Sequence, residues 1–315
     1  MAEGRKSKPR SRPTRPIGLS TDGAPSKSNH SPEWNGEGWF IPAPLSNRLY
    51  QKSALGKPVD GGIILTNEEV MFCHWHRHVP LEDGWVDRQL EQDQNFAHKS
   101  VAFDVVRSAG EKVVPIADKW LRWTRESHPS KGDPVAEVRW ARAADSLDID
   151  DLLDWTESVL RDERMAEFAI VDDEMDVTIY RMELIEPRGN LLPATKEDYP
   201  LLGVQHLSRT FLREDELDWI KGVKNPVTDL FGELNSRGLL MRPGFKYGCR
   251  WRVYSTSVEE DHAPYLMQME GESPTNWEGV CLSVRLAEGV NKGWVVAVNR
   301  GGWKFLMISR HLPGR

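Results

Sequence analysis

Apolar positions recur at helical spacing twice in the chain. Ile149, Leu152, Leu153, Val159 and Leu160 form one such face, and Trp277, Val280, Cys281, Val284 and Ala287 form another. The second is preceded by Thr275-x-x-Glu278, which reads as a capping box opening a helix over 276–290. Around it, alternating or continuous apolar character predicts strands at 248–255, 263–269, 293–299 and 303–310. Upstream, helices are predicted over 212–222 and 226–237, with Asn225-Pro226 as a start signal and Gly238 as a stop.

These elements belong to a repeat. RSAGEKVVP at 107–115 aligns with NSRGLLMRP at 235–243, an offset of 128, and FAIVDDEMDVTIY at 168–180 aligns with VVAVNRGGWKFLM at 295–307, an offset of 127. The reading is therefore an α/β (α+β) chain built as a tandem duplication. Each unit has a small helical or mixed N-terminal part and a C-terminal mixed sheet flanked by helices. The expected division is a tail over 1–38, a first copy over 39–187 and a second over 188–315, the last split into subdomains 188–243 and 244–315.

With 315 residues the chain is long enough for two ordinary domains, and 39% hydrophobic with 28% charged residues is normal for a soluble globular protein. The net charge of −7 is uneven: residues 1–30 hold seven Lys/Arg against Glu3 and Asp22, so the rest carries −12. The opening RKSKPRSRPTRP is expected to be disordered, a solvated tail in the favoured reading and a loose electrostatic arm for RNA in the other. An acidic body is a poor general RNA binder, so any RNA site must be a local basic concentration. Three cysteines without a CxxC argue against a disulfide framework or zinc site, and no apolar run approaches a membrane span. A reduced, cytoplasmic protein is expected. The 13 Trp are expected to pack cores.

Candidate chemistry sits in the second copy, in GFKYGCRWRVY, then DHAPYLMQ, then SVRLAEGVNKGWVVAV. Strand alternation puts Arg250 and Arg252 on the face of Tyr254, where guanidinium groups favour a nearby phosphate. His262 follows Glu259-Glu260-Asp261, carboxylates that favour the imidazolium a general acid requires. Lys292 opens a strand and could steady charge developing on phosphorus. At the repeat offsets, Tyr254 falls opposite Glu126, His262 opposite Pro134 or Val135, and Lys292 opposite Arg164 or Met165, so the first copy lacks the trio and reads as a scaffold.

This block resembles the catalytic block of the archaeal tRNA-splicing endonucleases: a GFKYG turn, a strand ending in Tyr, a His before a short strand, and a helix leading to Lys. The likeness is strong over 239–310 and weak elsewhere. It implies the shared endonuclease fold and metal-free cleavage of precursor tRNA at bulge–helix–bulge intron boundaries, leaving 2′,3′-cyclic phosphate and 5′-hydroxyl ends. Tyr254 would be the base, His262 the acid and Lys292 the transition-state cation, with no cofactor. Arg285 and Arg310 would be the arginine pair that sandwiches a bulge base, Arg300 competing for the second place. Asp172, Asp173, Glu174 and Asp176 would form the acidic loop that docks into a partner, making a homodimer of two-unit chains. The alternatives are a non-catalytic RNA-binding or structural subunit, and a metal-dependent DNA nuclease on a related fold.

One motif lies outside the likeness. Thr66-x-x-Glu69 suggests a helix that sets His74 and His78 one turn apart, whereas a strand would align His74, His76 and His78. Surface or core histidines are the favoured reading over a metal site.

Overall fold

The computed structural model describes residues 30–259 and 261–311. Most of the expected tail lies outside these residues. Its last part does not fit disorder, because Glu33–Trp34 pairs as a strand. The described chain forms two compact units, residues 30–52 with 56–100, and residues 53–55 with 101–311. The second unit thus holds the expected second copy together with residues 101–187 of the expected first copy, while most of residues 39–100 fall in the first unit.

The first unit contains a four-stranded antiparallel sheet, β1 (Glu33–Trp34), β2 (Trp39–Pro42), β3 (Lys57–Val59) and β4 (Gly62–Leu65), in the order β1-β2-β4-β3. Helices α1 (Leu45–Ser53), α2 (Asn67–Arg77), α3 (Trp85–Gln92) and α4 (Phe96–Val106) accompany it, α4 running on into the second unit. The expected capping box opens α2: the Thr66 backbone N–H donates to Glu69 Oε2 at 3.0 Å.

The second unit is organised by one ten-stranded sheet. Its first half holds β5 (Lys112–Ile116), β6 (Lys119–Trp123), β7 (Ala136–Arg142), β8 (Met165–Val171) and β9 (Val177–Ile185), with α5 (Ile149–Arg161) between β7 and β8. A small hairpin, β10 (Val204–His206) and β11 (Arg209–Phe211), and helices α6 (Glu214–Lys221) and α7 (Pro226–Ser236) follow. The second half holds β12 (Leu240–Pro243), β13 (Trp251–Tyr254), β14 (Tyr265–Met269), β15 (Gly293–Asn299) and β16 (Trp303–His311), with α8 (Trp277–Glu288) between β14 and β15. The strand order is β12-β13-β14-β15-β16-β9-β8-β7-β6-β5.

Each half has one parallel pair, β7 with β8 and β14 with β15; the other neighbours are antiparallel. The halves meet through antiparallel β9 and β16, from Phe305 opposite Ile185 to His311 opposite Ile179. On one face α5 and α8 bury a common core in which Phe168 and Trp277 rings lie 4.2 Å apart. On the other, α7 covers the second half with Leu230, Phe231 and Leu234 against Trp251, Val253 and Val295. β15 is buried on both faces, Trp294, Val296 and Val298 towards one core and Val295 and Ala297 towards the other, which accounts for its unbroken apolar run.

Helix α7 starts where its sequence signals a start: Asn225 Oδ1 accepts from the Thr228 backbone N–H at 2.9 Å, and Pro226 occupies the first turn. Helix α8 starts one residue away from the expected cap. Asn276, not Thr275, accepts from the Gly279 N–H at 3.0 Å, because the Thr275 carbonyl is engaged by the Leu147 N–H at 2.8 Å. Among the described residues no helix is long and apolar enough to cross a membrane.

The repeat offsets need correction at the trio. Lys112 pairs with Trp123 as Leu240 pairs with Tyr254, so Trp123, not Glu126, stands at the place of Tyr254. From Leu240 to its partner Tyr254 the chain is three residues longer than from Lys112 to Trp123, since the β12–β13 connection holds the 3₁₀ turn Phe245–Tyr247 and the left-handed Gly248 (φ 64°). The Gly293 N–H donates to Pro264 O as the Met165 N–H does to Val135 O. Counting back from that bond puts Asp133 at the place of His262, and Arg164 stands where Lys292 does.

The halves also differ in what they bury. Glu167, 1% exposed, accepts from Arg122 Nε and Nη2 and from Arg181 Nη2, each at 2.8 Å. The corresponding residues of the second half are Val253, Val295 and Met307. Glu167→Ala removes the carboxylate that Arg122 and Arg181 share, leaving Arg122 only its ion pair with Glu111, and the expected loss is about 3–5 kcal/mol of unfolding free energy in urea. A loss below about 1 kcal/mol would show that the cluster is solvated in the folded state.

Candidate active site

Strand register brings the candidate trio together. Tyr254 is the last residue of β13, His262 precedes β14 and Lys292 immediately precedes β15. Because β13 is antiparallel to β14 and β14 parallel to β15, all three positions fall at one end of three adjacent strands. Val253 pairs with Tyr265, and Tyr265 pairs with Gly293. At the usual interstrand spacing the Tyr254 and Lys292 backbones are about 10 Å apart, with β14 between them, a gap that a phenol and an ammonium stem can close from either side.

Each residue is held differently. The Tyr254 ring belongs to the core beneath α7 and is 5% exposed, while its hydroxyl accepts from Arg252 Nη1 at 3.1 Å. His262 is exposed, and its backbone N–H donates to Asp261 Oδ1 at 2.7 Å. Glu260 of the expected acidic run lies outside the described residues. Lys292 Nζ donates to the carbonyl of Ala263 at 2.6 Å, tying the ammonium to the residue that follows His262. Burial, reinforced by the Arg252 guanidinium, holds this ammonium below the ordinary lysine value, against the opposing pull of Asp261. Asn291 takes a left-handed conformation (φ 56°) to enter β15, as Glu163 does before β8 (φ 56°).

Of the two arginines expected beside Tyr254, only Arg252 is there. Arg250 precedes β13, so strand alternation does not govern it; its Nε donates to Glu272 Oε2 at 2.8 Å and its guanidinium lies 5.6 Å from the Trp251 ring centre. Sequence reasoning missed Arg242, which pairs directly across from Arg252. Its guanidinium is anchored on the carbonyls of Gly203 (2.7 Å) and Leu201 (3.0 Å). Burial lowers its pKa and Glu216 opposes that. Only the β12–β13 register, set by the extra turn, could have revealed it.

Arg285 and Arg310 line one small pocket with Thr178, Tyr180, Val284 and Glu288. The Arg310 backbone N–H donates to Glu288 Oε1 at 2.8 Å, and its Nε lies 3.4 Å from Glu288 Oε2. Arg300 forms an ion pair with Asp150 instead, so Arg310 is the neighbour of Arg285. In the acidic hairpin, Asp172 Oδ1 accepts from the backbone N–H groups of Glu174 (3.0 Å) and Asp176 (2.9 Å), so this carboxylate builds the turn. Asp173, Glu174 and Asp176 are exposed.

A cleft of about 770 Å³ lies at the opposite end of β13. Its two arginines are already paired, Arg213 with Asp215 and Arg250 with Glu272, so it is not a free basic cleft. Outside this unit, the histidine motif is helical as the capping box suggested. His74 Nδ1 lies 3.0 Å from the Val79 carbonyl, His76 packs on Phe72 with ring centres 4.7 Å apart, and His78 is the left-handed cap of α2. Among the described residues no three His, Cys, Asp or Glu side chains are grouped to hold a metal ion.

Tyr254→Phe removes one hydroxyl and one hydrogen bond from an otherwise intact ring. The expected thermal destabilisation is about 0.5–1.5 kcal/mol. A loss above about 3 kcal/mol would mean that the hydroxyl supports the fold and that its removal cannot report on chemistry.

Residues 228–303 match the family described as tRNA intron endonuclease, catalytic C-terminal domain. A tRNA-splicing endonuclease of Thermoplasma volcanium is 32% identical over 166 residues, 47% of this chain and 56% of that protein. One from Picrophilus torridus is 26% identical over 149 residues, 41% of this chain and 50% of its own length. The chain therefore spans about half the length of these two relatives. One from Methanosarcina mazei is 21% identical over 318 residues, covering 80% of this chain and 90% of the relative. The matched domain contains Tyr254, His262 and Lys292 with the strands that align them, so residues 228–303 are similar to the catalytic domain of the tRNA intron endonucleases.

Proposed function

We propose that this chain cleaves precursor tRNA at bulge–helix–bulge intron boundaries by metal-independent transesterification. The observation that carries the reading is the alignment of Tyr254, His262 and Lys292 at one end of β13, β14 and β15 within the matched catalytic domain. In this reaction the phenolate of Tyr254 takes the proton of the 2′-hydroxyl. The 2′-oxygen attacks phosphorus, and the bond from phosphorus to the 5′-oxygen breaks. The departing 5′-oxygen receives a proton from the His262 imidazolium, while the Lys292 ammonium faces the charge gathered on the phosphoryl oxygens. The products are a 2′,3′-cyclic phosphate and a 5′-hydroxyl. Substrate would be read by shape and splayed bases, with Arg285 and Arg310 placed to hold one of them.

We also read the two half-sheets as copies of one unit, the first a scaffold, and propose a homodimer with two active sites. The exposed acids Asp173, Glu174 and Asp176 are its docking groups. Where they dock is not the large cleft, whose arginines are already paired. A non-catalytic RNA-binding subunit is the second reading, favoured by the 5% exposure of Tyr254.

Incubation with an intron-containing precursor tRNA in EDTA is expected to release the intron with cyclic-phosphate and 5′-hydroxyl ends. Ends bearing 3′-hydroxyl and 5′-phosphate would reject the mechanism, and tight binding without cleavage would favour the second reading. His262→Ala is expected to slow single-turnover cleavage by roughly 10²–10⁴; a change below about threefold removes the general-acid role. Replacing Asp173, Glu174 and Asp176 together by their amides is expected to yield monomers in sedimentation at moderate salt, where a screened contact is already weak. An unchanged dimer would take docking away from this hairpin.

A further inference from the structure

Among the cations around the trio, Arg252 is held by the protein at two of its three guanidinium nitrogens. Its Nε donates to the Pro243 carbonyl at 3.0 Å, and its Nη1 donates to the Tyr254 hydroxyl at 3.1 Å. We propose that Arg252 is a positioning residue: anchored on the β12 backbone, it fixes the Tyr254 hydroxyl. The consequence for rate rests on the proposed function; the contacts do not.

Three observations support this role. The guanidinium lies 5.8 Å from the Tyr254 ring centre, so hydroxyl and ring are both oriented by one group. The same guanidinium acts on Lys292, joining burial in lowering its pKa. Lastly, Arg252 stands directly across from Arg242, and like charges in opposed positions are unfavourable in a sheet. The corresponding pair in the first half is Val114 and Leu121, beside Trp123 in place of Tyr254. Arginine and tyrosine are thus replaced together where the trio is missing. The fold has no need of charge at this pair, so its presence beside Tyr254 serves the site.

A free phosphate-binding arginine would contribute to affinity and to the salt dependence of binding. A tethered one acts on the chemical step, because a phenol displaced by about 1 Å reacts on the order of 10²-fold more slowly. The fork geometry is also specific: lysine keeps the charge but cannot span carbonyl and phenol in one plane.

The test uses the full chain carrying Arg252→Gln or Arg252→Lys, with two readouts. The first is kcat and KM on precursor tRNA across a salt series. The second is the NMR titration of Lys292 Nζ in the RNA-free protein. With Gln, kcat is expected to fall on the order of 10²-fold, KM to stay within about threefold, and Lys292 to titrate at higher pH than in the unaltered chain. With Lys, the Lys292 titration is expected to return towards its original position while kcat stays low. An unchanged kcat overturns the proposal. So does a raised KM with a salt slope smaller by about one and kcat intact, the mark of a phosphate contact. If the Gln variant does not fold, the Lys variant decides by whether kcat falls at constant KM. If the unaltered chain does not cleave, the splicing reading fails on its own. The Lys292 titration then decides alone, and its failure to move in the Gln variant removes Arg252 from this role.

Discussion

The antiparallel pairing of β9 with β16 is the constraint on which the rest of the second unit depends. It joins two five-stranded half-sheets, from Phe305 opposite Ile185 to His311 opposite Ile179, so neither β9 nor β16 is exposed as an edge. The same seam sets α5 and α8 side by side over a common core, with Phe168 and Trp277 in contact. Helix packing and strand pairing therefore reinforce one another: slipping β16 by one residue would turn Leu306 and Ile308 out of that core. With the seam at the centre, β12 and β5 fall at the two edges, and the candidate site lies on the three strands just inside one of them.

On this nearly symmetric frame, backbone geometry and side-chain chemistry separate. The entry to β8 and the entry to β15 share a left-handed residue, Glu163 or Asn291, and the next residue of each donates its N–H back to the preceding helix. Hydrogen bonding sets that path and leaves the side chains free. One half places Arg164 there, salt-bridged to Asp162, while the other places Lys292, bonded to Ala263 O. The same freedom fills equivalent positions with Arg122, Glu167 and Arg181 in one half and with Val253, Val295 and Met307 in the other. The ionic set is paired internally and with Glu111, whereas the apolar set needs the cover that α7 supplies. It is beside that covered core that a tyrosine ring can be buried while its hydroxyl meets an arginine.

Much of this was legible in the chain. Strands β13 to β16 and helix α8 lie within a few residues of their predicted limits, since each rests on a period of two or 3.6 that neighbouring residues carry by themselves, whereas β12 is not among the predicted strands. Asn225, Pro226 and Gly238 punctuate α7 as their chemistry dictates, and Glu69 caps α2. The errors share a cause. Thr275 lost the cap to Asn276 because its carbonyl is bonded to Leu147, far away in sequence. Arg250 left the expected face because the chain turns through Gly248 before β13 begins.

The sequence alone determined the local order: which segments are helix or strand, where α7 begins and ends, and that Tyr254, His262 and Lys292 lie in one compact block of the chain. Tertiary structure decided what those residues meet. Arg242 faces Arg252, Trp123 rather than Glu126 corresponds to Tyr254, Arg310 rather than Arg300 neighbours Arg285, and Asp172 is taken up by its own turn. The physical reason is that periodicity and capping act over a few residues, whereas register is fixed by hydrogen bonds between strands far apart in sequence. Three residues inserted in one connection, 244–250, shift every cross-strand partner of β13 without altering any local pattern.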